Sequence, residues 1–366
     1  MEKPLKVRLH IISPVHIGCD DVYEPTSFKI DEENKKLIAF DPMDFIKSLS
    51  PQYRQEFTKI CMKGNISSIV EIYRFISDKQ VNGREVEICN DFLSHYREVL
   101  NLRGEVEIRR KLSQFEISRT AYNPHNNLPY IPGSSLKGSL RTAYLSKLAK
   151  DNKVKGYKGK ADALEKQLLG GSFATDPFRM VKVSDFLPVG DVKTKIVYAV
   201  NKKKKASKFE ARGPFQIVET LKEGAVFEGI INIQQPLSLP EKPPTIKEPI
   251  KIKDLLKAID DFYWTINTEE ENVTEEIGAK TVNDSKVNDR FKDHWGASAF
   301  LIRIGRHSGA EAATIEGNRN IKIKQAEGQP PKYLDSATTI WLASETRKPT
   351  SNNGLIPFGW AVMEVI

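Results

Sequence analysis

The sequence predicts an α+β protein built from ferredoxin-like domains, two of them at a length of 366 residues, with a helical insertion in the first. Three observations point there. An alternating strand opens the chain. A glycine–serine turn near residue 133 runs into an amphipathic helix, and strands recur on both sides of a proline-rich stretch. The order strand, long excursion, helix, strand, strand suits an antiparallel sheet with helices on one face.

Residues 5–12 place Leu5, Val7, Leu9 and Ile11 on one face and Lys6, Arg8 and His10 on the other, a half-buried strand with a basic outer face. Ser13-Pro14-Val15-His16-Ile17-Gly18 ends it. Residues 27–30 and 36–40 read as two strands around the turn Asp31-Glu32-Glu33-Asn34. At Asp41-Pro42 the period changes, and helical patterns cover 41–49, 53–62, 66–76 and 91–102. Residues 41–103 therefore read as the helical insertion. Arg109-Arg110-Lys111 begins a basic, extended approach that carries Arg119 and Tyr122 and passes through Asn123-Pro124-His125.

The central stretch is Ile131-Pro132-Gly133-Ser134-Ser135-Leu136-Lys137-Gly138-Ser139-Leu140-Arg141. Ser134 is the expected N-cap, and Leu136, Leu140 and Ala143 form the buried stripe. Lys137 and Arg141 stand one turn apart on one face. A helix N-terminus beside two cations is an anion site. The same pattern also fits a surface helix whose cations are solvated.

The helix is expected to end near Lys150, followed by a mobile basic loop at 151–160 and a short helix at 161–169 stopped by Gly170-Gly171. Residues 180–186 and 195–201 read as strands, the second running into Lys202-Lys203-Lys204-Lys205. That run is either a solvated loop or part of a polyanion groove. Phe209, Arg212 and Phe215 interleave aromatic with cation, or belong to the core of the next strand. Residues 214–221 and 225–233 flank Lys222-Glu223-Gly224, a hairpin signal. Five prolines between 236 and 249 forbid a continuous helix or central strand there, and they divide the chain into domains 1–235 and 236–366. Residues 252–264 read as a helix, 267–290 as polar and loosely ordered, and 300–304, 321–324, 338–343 and 361–366 as strands.

The balance of 56 Lys+Arg against 48 Asp+Glu leaves a formal charge of +8, which permits a polyanionic partner. No apolar run approaches the roughly 20 residues of a spanning helix, and the N-terminus lacks the apolar core of a signal peptide. Cys19, Cys61 and Cys89 are odd in number and far apart, which argues against a disulfide framework or zinc site and for a reducing, cytoplasmic compartment. Asp20-Asp21 and Asp260-Asp261 are neighbours that point different ways, so no metal site and no cofactor is expected.

Four separated stretches resemble the RAMP superfamily, the RNA-binding ferredoxin-like proteins of CRISPR systems. They are the segment ending in Ser13-Pro14-Val15-His16-Ile17-Gly18, the central stretch, Val181-Lys182-Val183-Ser184-Asp185, and Ile302-Arg303-Ile304-Gly305-Arg306-His307-Ser308-Gly309 with the closing Pro357-Phe358-Gly359-Trp360. Within the superfamily the chain looks most like the branch that forms the fifth Csm subunit of type III-A effector complexes. Gly305, Gly309 and Gly317 are spaced more widely than the glycine-rich loop of CRISPR RNA processing enzymes.

The resemblance implies a non-catalytic subunit that caps the 3′ end of the crRNA and supports its maturation and antiviral defence. Its implied RNA contacts are His16, Gly133, Ser134, Ser135, Lys137, Arg141, Arg306 and His307. Its implied partners are the crRNA, the neighbouring Csm backbone subunit, the small subunit and a trimming nuclease, with no membrane. Residues 41–103 and 151–160 are the segments expected to block further stacking of the filament. Two alternatives stay open: a metal-independent crRNA-processing endoribonuclease using His16, His125 and His307, and a RAMP subunit of a type III-B complex.

Overall fold

Complete burial of Val7, Leu9 and Ile11 fixes the opening strand in the middle of a sheet. The protein is represented by a computed structural model that describes residues 3–205, 213–236, 245–246, 248–284, 289–325 and 328–366. The chain begins with β1 (Leu5–Ile11), β2 (Gly18–Val22), β3 (Phe28–Asp31) and β4 (Lys36–Ala39), and continues with α1 (Pro42–Ser48), α2 (Pro51–Met62) and α3 (Ile66–Ser77). Next come β5 (Arg84–Ile88), α4 (Asn90–Leu100), α5 (Glu105–Leu112), β6 (Ile117–Thr120), α6 (Gly133–Asp151) and α7 (Ala161–Leu168). Then β7 (Val181–Val183), β8 (Leu187–Pro188), β9 (Thr194–Lys203), β10 (Gln216–Leu221) and β11 (Val226–Ile233) lead to α8 (Ile252–Ile277). The last strands are β12 (Ala299–Arg303), β13 (Ile321–Ile323), β14 (Lys332–Leu334), β15 (Thr339–Ser344), β16 (Ile356–Pro357) and β17 (Trp360–Val365).

Local chemistry sets the helix starts. Asp41 accepts the Met43 and Asp44 N–H groups, Ser50 caps α2 just before Pro51, and Asn65 accepts from Ser68. The first sheet runs β12-β17-β1-β11-β7, with β8 also on β11, and every pair is antiparallel. The helices α6 and α8 pack together, and their apolar faces join this sheet in the largest core. A second sheet runs β2-β6-β10-β9-β5-β4-β3, with β15 added on β9 and β16 on β15. Aromatic residues of α3 and α4, among them Tyr73, Phe92 and Tyr96, form its core with Phe115 and Tyr198. The hairpin β13–β14 belongs to neither sheet.

The α+β class holds, and several local expectations are corrected. The strands β10 and β11 are not a hairpin, because β10 pairs with β6 and β9 while β11 pairs with β1, β7 and β8. The turn at 222–224 carries the chain from one sheet to the other. Segment 41–103 is not wholly helical: β5 lies inside it and adds to the second sheet beside β4 and β9. Arg109, Arg110 and Lys111 end α5 rather than opening an extended segment, their charges suiting the helix C-terminus. The helix α8 continues through polar residues to Ile277, closed by Gly278 in the left-handed conformation.

Charge compensation occupies the basic groups of β1 and β9. Lys6 and Arg8 both pair with Glu228, and buried His10 pairs with Glu364, so the outer face of β1 is not a free basic surface. Lys202 and Lys203 end β9, and Lys204 pairs with Glu311 at 2.6 Å, so the lysine run is not a free loop. Phe209 and Arg212 lie outside the described residues, while Phe215 packs against the second core. Both sheets draw strands from each side of the proline stretch, with β1 between β11 and β17 and β15 on β9.

Candidate nucleic-acid interface

The helix α6 is seated by a glycine. A Cβ on Gly133 would stand 2.3 Å from the Val183 carbonyl oxygen and 2.6 Å from that of Ser184, so only glycine lets the helix begin against β7. The Gly133 N–H donates to Asp185 Oδ1 at 2.8 Å, and α6 has no capping side chain of its own. Asp185 thus takes the capping role expected of Ser134, and Ser134 lies exposed within the first turn. Gly133 itself is buried and its N–H is taken by Asp185.

The two cations of the helix turn inward. Lys137 Nζ donates to the Val181 carbonyl oxygen at 2.7 Å, and burial followed by the nearby Lys182 charge holds its pKa below the usual lysine range. Arg141 donates twice to Glu165, at 3.0 and 2.9 Å, and once to Asp176 at 2.8 Å. Two carboxylates already compensate this guanidinium, so the anion site expected between Lys137 and Arg141 is filled by the protein's own groups.

What stays open lies beside them. Ser134, Ser135, Gly138 and Thr142 form one wall of a groove of about 390 Å³, faced by Gly18, Arg306 and Ser308. Gly305 brings the facing turn close: at φ 82° its Cβ would meet the His16 carbonyl oxygen at 2.5 Å, and the Arg306 N–H donates to that oxygen at 2.8 Å. The Arg306 side chain is 58% exposed and stands 4.0 Å from Asp20. The closing segment braces this arrangement. Ser13 Oγ accepts the Trp360 N–H at 3.0 Å, and Gly359 N–H donates to the Pro14 carbonyl at 2.9 Å.

His16 lies behind the groove, and half-buried His307 is not among the residues that line it. His16 is fully buried, with Nδ1 2.8 Å from the Glu219 carbonyl oxygen. Its ring stacks 6.2 Å from that of His307, which packs on Trp341 and Phe358 at 5.0 and 5.2 Å. Burial lowers the pKa of His16, and burial reinforced by His16 and Arg306 lowers that of His307 to about 4. Both rings are neutral at physiological pH. His16 offers no exposed surface in this structure, and His125 lies on the separate turn at 123–127.

The structure therefore joins Ser134, Ser135 and Arg306 in one groove, pairs His16 with His307, and commits Gly133, Lys137 and Arg141 to internal contacts. Thr142 and Ser308 were missed by sequence reasoning. Thr142 was legible, because it follows Gly138 by four residues and Ser135 by seven on one helix face. Among the described residues, no group of three or more His, Cys, Asp or Glu side chains could hold a metal.

The RAMP superfamily model matches residues 8–307, and the chain belongs to that superfamily. It is similar to the CRISPR-system protein Csm5 of Methanocaldococcus jannaschii, with 23% identity across 99% of this chain and 89% of that protein. Its fold resembles a chain in the cryo-EM structure of a Csm–crRNA–target RNA ternary complex of a type III-A CRISPR-Cas system, at a TM-score of 0.63, with 18% identity, covering 99% of this chain and 100% of that one. It also resembles the crystal structure of T. onnurineus Csm5, at a TM-score of 0.56, with 18% identity, covering 97% of this chain and 99% of that one.

Proposed function

We propose that this chain is the non-catalytic RNA-binding subunit of a type III-A Csm complex that holds the 3′ portion of the crRNA and caps the backbone filament. The observation that carries the reading is the convergence of three separated superfamily segments on one open groove. Ser134 and Ser135 offer donors from a helix start, and Arg306 offers an exposed cation, the chemistry that grips a phosphate backbone. The likeness to Csm5 proteins and to a chain of a Csm–crRNA–target RNA complex supports crRNA and a Csm complex as the partners. The neighbouring backbone subunit, the small subunit and a trimming nuclease are the protein partners of this reading, and the cytoplasm is its setting. Neutral His16, fully buried, and neutral, half-buried His307 support a holding role over acid–base cleavage.

The test is binding of a guide-like single-stranded RNA across a salt series, with product sizes read on the same samples. Arg306→Ala should weaken binding roughly tenfold and flatten the salt slope by about 0.7, the contribution of one phosphate contact on a single strand. The RNA should stay intact. Unchanged affinity and slope would remove the groove from the interface, and cutting at one reproducible position would make the protein an enzyme.

A further inference from the structure

A second cationic surface stands at the far end of α6, outside the groove. The helix is 19 residues long, about 28 Å at 1.5 Å per residue, and the groove occupies its N-terminal half. Its C-terminal end runs into the segment 152–160, which has no regular structure yet is not loose. The Gly156 N–H donates to the Gly317 carbonyl at 2.9 Å, Tyr157 N–H to Asn318 Oδ1 at 3.0 Å, and Asn318 Nδ2 to the Val154 carbonyl at 2.9 Å. These bonds correct the expectation of a mobile loop. They also tie it to the base of the β13–β14 hairpin.

Exposed Lys155, Lys158 and Lys160 lie on the tied segment, and exposed Lys322 and Lys324 lie on and just after β13, so these bonds link two lysine-bearing stretches at one corner, while Lys332, paired with Ile323, falls on the other face of the hairpin. None of these five is in an ion pair among the described residues. Tyr333, 55% exposed and cross-strand from Lys322, adds a flat ring among them. Segment 310–318 joins groove to corner, since Ala312 and Ala313 line the groove and Glu316 N–H donates to Ser146 Oγ of α6 at 3.1 Å.

We propose that this lysine corner is a second binding surface for single-stranded RNA, which takes the strand where it leaves the groove. The inference rests on the reading of the groove as an RNA site. Uncompensated lysines hold the backbone through counterion release, and Tyr333 offers a base a stacking face.

The test uses the full chain with oligouridine strands of about 6 and about 20 nucleotides, short enough for the groove alone and long enough for both surfaces. The variants Lys155→Ala/Lys158→Ala/Lys160→Ala and Lys322→Ala/Lys324→Ala should each bind the long strand roughly tenfold more weakly, with a salt slope shallower by about 2 for the first and about 1.4 for the second. Their binding of the short strand should match wild type. Unchanged affinity and slope for the long strand would overturn the proposal. So would retained RNA binding with lost binding to polyglutamate, which would assign the corner to an acidic protein surface. If Arg306→Ala leaves short-strand binding unchanged, the groove reading fails, whichever way the lysine variants behave.

Discussion

His307 sits at φ 64°, in the left-handed region, with its ring packed on Trp341, Phe358 and His16 just behind the exposed Arg306. Its proton affinity is lower folded than unfolded, so between pH 6.5 and about 4 the unfolded chain binds the extra proton. Stability is therefore complete above pH 6.5 and falls as the pH drops toward 4. The loss from this residue is about 2–3 kcal/mol at the acid end, and His95, also held at about 4 by burial, adds in the same direction. Asparagine accepts the left-handed backbone and does not titrate. His307→Asn should thus lower the melting temperature at neutral pH through lost ring packing and show a shallower fall between pH 6.5 and 4. A fall as steep as wild type would refute the assignment. At this scale the central helix and its buried stripe were legible in the sequence, and the internal partners of its charges were not. Arg141 meets carboxylates 24 and 35 residues away, and Gly133 meets one 52 residues away. A cation is visible in a sequence; its counter-ion, brought by folding, is not. Arg141→Ala should accordingly cost about 1–2 kcal/mol of stability, discounted for its partial exposure, while leaving RNA affinity within about twofold of wild type once folded protein is compared.

Elements with one polar and one apolar face were legible, and elements whose polar residues face inward were not. The pair β3 and β4, the capped helices α1 to α3 and the strands β12 and β17 lie where alternation or helical spacing put them. The second half of α8 was hidden because its sequence is acidic and polar. There Asn267 is buried, and Glu270 accepts the Trp360 indole N–H at 2.7 Å and pairs with Arg303. Arg303 is itself 3% exposed and lies over the Trp360 ring, so this polar stretch is an internal interface that composition reads as a loop. The hairpin signal at 222–224 failed for a related reason: a turn residue fixes a reversal, not which sheet the next strand joins. Glu270→Ala would strand a buried guanidinium and should cost about 3–5 kcal/mol. Glu270→Gln keeps an acceptor for Trp360 and should cost less. Urea unfolding midpoints of the two variants decide it, and equal midpoints would mean that the Arg303 charge is compensated elsewhere.

The whole molecule is laced across its proline stretch. In the first sheet β17 bonds to β1 on one side and β12 on the other, so the last strand of the chain is interior to the sheet that the first strand begins. In the second sheet β15 lies along β9 from Lys203 to Tyr198. Residues 1–235 alone would leave β1 with an open edge, uncover the apolar surface of α6 that α8 occupies, and strip β9 of a partner. Long-range pairing of this kind cannot be read from periodicity, which reports faces and not neighbours. The groove depends on the same lacing, because Arg306 comes from the C-terminal side and Ser134 from the N-terminal side. Expressed separately, fragments 1–235 and 236–366 should each lack a cooperative thermal transition and bind RNA weakly. Expressed together, they should associate and recover both properties. A sharp transition in 1–235 alone, with β1 and β11 amides protected from exchange, would show instead that the proline stretch separates two independently stable units, with β17 only docked on the first.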